Sequence, residues 1–137
     1  MINPVVAVLR LLSFALWTLL LMGPYLALMA TGSRLAEGYR CFYFRHVAAI
    51  CGIRVRPEGA PRAAAGPVLY VANHASYIDI IVLGSLLRGA FVAKTEVAGW
   101  PGFGFLAKIA NTVFVDRKRG GTARERDLLR QRLDGGG

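Results

Sequence analysis

The residue types that build many catalytic and metal sites are scarce in this chain. Histidine occurs only at His46 and His74, and cysteine only at Cys41 and Cys51. The cysteines stand ten positions apart, form no CxxC and have no second cluster beside them. No metal site is expected from them, and they read as buried or interfacial thiols, compatible with a cytosolic face. With two histidines in the whole chain, any imidazole chemistry has two candidates.

Acidic residues are also few: 8 Asp+Glu against 17 Lys+Arg, a net charge of +9. Such an excess favours anionic partners, whether phosphate-bearing ligands, anionic lipid or nucleic acid. Fourteen of the basic residues are arginine, whose planar fork suits phosphate oxygens. Nucleic acid finds no further support, because no zinc, helix-turn-helix or RNA-binding pattern is present. A P-loop is absent too: GWPGFGF (99–105) has glycines but no GK[ST], and reads as close backbone packing or the lining of an acyl channel. There is no internal repeat.

Charge of either sign is missing from Leu11 to Ser33, between Arg10 and Arg34. These 23 residues exceed the roughly 20 apolar residues a spanning helix needs, in a chain that is 55% apolar. No small-x-small site precedes an obviously secreted domain, so the segment is not read as a cleaved signal. Gly23-Pro24 in its middle predicts a kink. One kinked spanning helix, and a helical hairpin or re-entrant segment in one leaflet, both remain open. Next, RLAEGYRCFYFRHVAAICGIRVR places Leu35, Tyr39, Phe42, His46 and Ala49 at helical spacing, beside Arg40 and Arg45. Rings and arginines together suit a membrane interface. A helix packed on the domain after it fits equally. His46 has no carboxylate near it in sequence and reads as a packing or interfacial residue.

Beyond Cys51 the pattern changes. IRVR (53–56) alternates like a short strand, and PEGAPRAAAG (57–66) is a loop. VLYVA (68–72) is a continuous apolar run, as in a strand buried on both faces. A helix over 76–89, a strand at AFVA (90–93), a helix over 101–111, a strand at TVFV (112–115) and a helix over 122–133 come next. Thr122 and Glu125 have capping-box spacing. The expected fold class is α/β: an amino-terminal membrane helix or helical hairpin, then a partial, mostly parallel βαβαβα sheet domain. The expected division is 1–50 membrane-associated, 51–133 α/β and 134–137 a flexible tail.

Open parallel sheets bind ligands beyond the carboxyl ends of their strands. NHASYID (73–79), KTE (94–96) and DRKRG (116–120) would gather there. Inside one helix His74 and Asp79 would lie about 140° apart and share no face. If the helix starts near Ser76, His74 precedes it and Asp79 sits in its first turn. The carboxylate can then fold back to one imidazole nitrogen and leave the other facing the cleft, as a general base requires. Against this stands a plain capped turn: Ser76 and Asp79 have capping-box spacing and Asn73 is at home in a turn. Arg117, nearest the end of TVFV, could clamp a phosphate through two parallel hydrogen bonds, whereas Lys118 and Arg119 read as a solvated charge run. Lys94 has the same two readings, and Glu96 could pair with it or cap the next turn.

These residues resemble a family. NHASYID matches the NHxSxxD block of the glycerolipid acyltransferases, typified by the 1-acylglycerol-3-phosphate (lysophosphatidate) acyltransferases. FVAKTE and then PGFGFLAKIANTVFVDR look like the family's next stretch. The resemblance covers roughly residues 35 to 130, and the hydrophobic leader is typical of bacterial members. It implies that His74 is the base that deprotonates a lysophospholipid hydroxyl, with Asp79 orienting it. Arg117 and Lys94 would hold the acceptor's phosphate, while Asn73 and Ser76 shape the turn. Acyl-CoA or acyl-carrier protein would be co-substrate, with no metal and no further cofactor. The implied location is the membrane, for a bacterial member the inner membrane, with the α/β part on the cytoplasmic face. The family's later EGTR-like block is missing, so the resemblance implies an incomplete amino-terminal part of such an enzyme. The competing expectation is a non-catalytic membrane-surface protein whose arginines bind anionic lipid.

Overall fold

The computed structural model describes residues 3–33, 35–59, 68–116, 127, 130 and 131. The chain divides into two compact units, Met1–Gly59 with Asn73–Arg88, and Ala60–Ala72 with Gly89–Gly137. Arg117 and the Thr122–Glu125 helix start lie outside the described residues; Asp127, Arg130 and Gln131 are helical and exposed.

The first unit opens with α1 (Pro4–Ala30). The Asn3 side chain accepts the Val5 N–H at 3.0 Å, and Pro4 stands where its missing donor costs nothing. The 27 residues make a rod of about 40 Å. None of them is buried, and Leu12, Leu16, Leu19 and Leu20 stand well exposed. This is the one described helix long and apolar enough to cross a membrane. Pro24 lies inside it without ending it. Residues 11–30 therefore run as one helix, with no hairpin turn at Gly23-Pro24. Gly32, at φ 62°, turns the chain after Thr31, and the Thr31 hydroxyl donates to the Leu28 carbonyl at 2.9 Å.

The hairpin partner is α2 (Leu35–Cys51), which runs back antiparallel to α1. The pairs step along both helices. Tyr25 stacks on Tyr39 at 6.2 Å, and the Tyr39 hydroxyl donates to the Leu21 carbonyl at 3.2 Å. Trp17 meets His46 at 4.8 Å and Phe42 at 6.1 Å. Thr18 spends its one hydroxyl proton on the Phe14 carbonyl at 2.8 Å, so Tyr43 donates to the Thr18 oxygen at 2.9 Å. Arg10 reaches the far end, against Gly52.

The other side of α2 carries α3 (Ile78–Leu86), again antiparallel. The Cys41 thiol donates to the Leu87 carbonyl at 3.3 Å, and Arg45 Nε donates to the Ser85 carbonyl at 3.1 Å. Small residues are buried on both helices: Ala36, Cys41, Val47 and Ala48 of α2, and Gly84 and Ser85 of α3. Side-chain spacing left two places open for α2, a membrane interface or the face of a later element, and it packs on α3. The helix expected over 76–89 is shorter because Leu87 is already extended and Gly89 has φ 146°.

IRVR is not a strand. Ile53 and Val55 are half-buried and Arg54 and Arg56 exposed, so the alternation holds, but no ladder joins it. Ile53 and Val55 instead line a cavity of about 210 Å³ with Arg45, Ala48, Ala49, Ser85 and Leu86.

In the second unit β1 (Val92–Lys94) and β2 (Val113–Val115) pair in parallel, with Ala93 opposite Phe114. A 3-10 turn, Thr95–Gly99, and α4 (Phe103–Ile109) form the crossover that parallel pairing needs. Gly102 enters α4 at φ 71°, and Gly104 is buried where a Cβ would overlap the Ala98 carbonyl oxygen. VLYVA departs from expectation. It is joined to no ladder, and Leu69, Tyr70 and Val71 are 65%, 49% and 88% exposed. A continuous apolar run becomes a buried strand only where neighbouring strands satisfy its N–H and C=O groups, and the two strands described pair with each other. The architecture seen is thus helical with one small parallel sheet; the full βαβαβα series is not present among the described residues.

Candidate active site

The run IDIIVLGSL can begin as a helix only if the donors of its first turn find acceptors. Ser76 Oγ accepts the Ile78 N–H at 3.2 Å, and the Asp79 N–H reaches the Ser76 carbonyl at 3.0 Å. Asp79, in the first turn, sends its carboxylate back over the chain. Its Oδ2 accepts the Ser76 N–H at 2.9 Å and the Ala75 N–H at 2.8 Å. The Ser76 bond is half of a capping box. Helical geometry starts at Ile78, two residues after the expected start.

The same oxygen takes a third donor, His74 Nδ1–H, at 3.1 Å. An ionised carboxylate can only accept, so Nδ1 carries the proton in this bond and Nε2 of the neutral ring holds a lone pair. The His74 side chain is 62% exposed and that of Asp79 29%. The Asp79 carboxyl is held below the usual carboxylate range, first by the Ser76 amide, then by the Ala75 amide, against some desolvation, with a smaller contribution from His74. The two backbone amides, more than the histidine, keep Asp79 charged.

Chemically, this turn presents a basic nitrogen to solvent with a fixed anion behind it. A hydroxyl brought to Nε2 could surrender its proton there, and the imidazolium would form against an existing negative charge.

The structure brings His74, Ser76 and Asp79 together, with Asn73 exposed just ahead of them. Lys94 is the exposed last residue of β1 and enters the 3-10 turn whose first turn holds Glu96. It belongs to the second unit and the His74 turn to the first. Arg117 falls outside the described residues, and Asp116 is exposed next to β2. His46 packs: it bonds the Phe42 carbonyl at 2.8 Å through Nδ1, and its ring meets Phe42 at 4.2 Å. Reading the sequence missed the Ala75 amide as a partner of Asp79, which no side-chain pattern announces. It also missed Gly84 and Arg45, whose contacts span forty positions. A glycine in the middle of an apolar helix was the available signal for the first of these.

Residues 53–137 match the family model described as Acyltransferase. The lyso-ornithine lipid O-acyltransferase of Brucella abortus is 41% identical over 96 residues, 69% of this chain and 36% of that protein. The enzyme of the same name from Pseudomonas aeruginosa is 44% identical over 81 residues, 59% of this chain and 28% of its own. The 1-acyl-sn-glycerol-3-phosphate acyltransferase of Neisseria meningitidis is 40% identical over 50 residues, 36% of this chain and 20% of its own. The chain thus spans about a third of the length of the first of these relatives. No solved structure matches it. A histidine–aspartate turn, an apolar helix long enough to cross a membrane and a family match over more than half the residues converge on one grouping: the chain belongs to the acyltransferase family, among the glycerolipid acyltransferases.

Proposed function

We propose that this chain carries the base of an enzyme that acylates the free hydroxyl of a lysolipid at a membrane surface. The observation that carries the reading is the His74 Nδ1–H to Asp79 Oδ2 bond inside the segment that matches the family. Asp79 holds the tautomer that leaves Nε2 as acceptor. His74 Nε2 takes the proton of the hydroxyl as its oxygen attacks the carbonyl carbon of an acyl thioester. The carbon–sulfur bond breaks, and the proton passes from the imidazolium to the departing thiolate. The donor is acyl-CoA or acyl-carrier protein, and no covalent acyl-enzyme is needed.

The acceptor is a lysolipid, with lyso-ornithine lipid ahead of 1-acylglycerol phosphate because the longer matches bear that name. Either acceptor is an amphiphile with an anionic group, a carboxylate or a phosphate. Lys94 and Arg117 are the cations proposed to hold that anion. Residues 68–72, β1 and β2 are proposed to lie in one mostly parallel sheet in the whole enzyme, with its α/β part on the cytoplasmic face of a bacterial inner membrane.

The test is acyl transfer in membranes of cells expressing the protein from its own gene, with each acceptor supplied in turn. His74→Ala should abolish transfer to the preferred acceptor. Unchanged transfer by that variant would remove His74 as the base. Transfer to neither acceptor, together with lipid binding indifferent to His74→Ala, would favour the non-catalytic reading.

A further inference from the structure

The turn that carries His74 leads into α3, a helix held by the α1–α2 hairpin. Beyond its first turn, α3 is packed chiefly on α2. Helix carbonyls in a last turn lack partners within the helix. Here α2 supplies one: Arg45 Nε–H fills the Ser85 carbonyl at 3.1 Å. It also fills the Leu87 carbonyl just beyond, through the Cys41 thiol at 3.3 Å. Arg45 also brings positive charge to the negative end of the α3 dipole.

Between these bonds the packing is close. A Cβ on Gly84 would stand 2.5 to 2.8 Å from three ring atoms of Phe44, distances that real side chains do not show. Glycine inside a helix is unfavourable relative to alanine. The Phe44 ring occupies the space that its missing side chain leaves. One residue earlier on α2, Tyr43 turns the other way and donates to Thr18 of α1. Tyr43 and Phe44 touch edge to face at 5.3 Å. Two neighbouring rings therefore join α1 to α2 and α2 to α3.

We propose that Phe44, Gly84 and Arg45 are positioning residues for acyl transfer. They seat α3 on the hairpin so that its first turn presents His74 at a fixed place relative to the apolar helix α1. This rests on the reading of His74 as the base. Gly84 is five residues from Asp79, about 7.5 Å along the axis, and a nine-residue helix moves as a body. A methyl group at 84 then displaces the His74 turn, not only the seam. Small misplacement of a catalytic group costs rate far more than it costs binding.

The experiment uses the protein expressed from its own gene, in nanodiscs of bacterial lipid. Two readouts are taken: the His74 imidazole Nδ1 and Nε2 resonances by nitrogen NMR, and kcat and KM for transfer to a lysolipid. Gly84→Ala should move the His74 resonances and lower kcat by about tenfold or more, with KM within about twofold. Gly84→Ala combined with Phe44→Leu should return the resonances and most of kcat, because the smaller side chain clears the methyl group and still covers the seam. Unmoved resonances in Gly84→Ala, or no recovery in the double variant, would overturn the proposal. If Gly84→Ala does not fold, Arg45→Gln replaces it, with Arg45→Lys as the conservative variant. Shifted His74 resonances in Gln that Lys restores support the proposal; unshifted resonances in Gln overturn it. His74→Ala, assayed in parallel, judges the base by turnover alone, so the base and its seating can fail separately.

Discussion

Asp79 Oδ2 lies 3.1 Å from His74 Nδ1, and the same oxygen is closer still to two backbone amides, at 2.8 Å from Ala75 N and 2.9 Å from Ser76 N. The histidine is a guest on a carboxylate that the turn already holds. The carboxylate therefore does not depend on the imidazole for its place or its charge. That order of dependence, and the packing of α3 on the hairpin, decide how variants of the chain should behave.

Asp79→Asn should keep the turn but not the chemistry. An amide oxygen can still accept from Ala75 and Ser76, so the start of α3 survives. The anion behind His74 does not, and turnover should fall on the order of 10²- to 10⁴-fold. Steady-state kinetics checks this, with amide chemical shifts of residues 75–80 as the control for the turn. Turnover within a few-fold of the parent would mean that the carboxylate is only a cap.

The acid response of the turn is set by the depressed Asp79 carboxyl. A group whose folded value is lowered stabilises the fold fully above its unfolded value, here 3.8, and that contribution is lost as pH falls through the lower folded value. The Ala75 and Ser76 amide shifts should therefore move together in strong acid, below the ordinary carboxylate range. Absence of that joint movement would show that the carboxylate does not govern this turn.

Tyr43→Phe should loosen the hairpin modestly. Thr18 keeps its bond to the Phe14 carbonyl, so only one hydrogen bond is lost, about 1 kcal/mol. Thermal unfolding in micelles should show a small drop in midpoint, with the helical content of the native state unchanged.

Gly104→Ala should be costly. The new methyl group meets the backbone carbonyl of Ala98, which cannot swing aside as a side chain can. A loss of roughly 1 to 3 kcal/mol is expected in the second unit. Amide exchange across β1 and β2 should quicken.

Membrane association should resist salt. Burial of the α1 leucines is indifferent to ionic strength, whereas arginine–lipid attraction is screened within about 3 Å at 1 M. The chain should sediment with vesicles in 1 M salt and cease to do so once residues 4–30 are deleted. Release of the intact chain by salt would assign its hold to the arginines.

Local pattern carried part of this far. Ser76 followed by Asp79 announces a helix start, and that start bends Asp79 back toward His74, so a five-residue spacing was enough to anticipate the bond. The parallel pairing of residues 92–94 with 113–115 was implied by strand, helix, strand. VLYVA joins no ladder among the described residues; a continuous apolar run does not say whether a partner strand is present. IRVR kept its alternation yet served a cavity wall and not a sheet. The docking of Phe44 on Gly84 was out of reach: a contact across forty positions leaves no periodicity, and a lone glycine in a helix has several explanations. The left-handed Gly102 and the extended Leu87, which set the true limits of α4 and α3, belong to backbone geometry that side-chain spacing does not encode.

The antiparallel course of α1 and α2 has one more consequence, for topology. A single spanning helix would deliver the segments at its two ends to opposite sides of the bilayer. A hairpin returns the chain to the side it left: Arg10 lies against Gly52, so the head of α1 and the exit of α2 are neighbours. A reporter fused ahead of Asn3 and a probe placed at the His74 turn should therefore share one compartment, and a protease confined to that compartment should reach both.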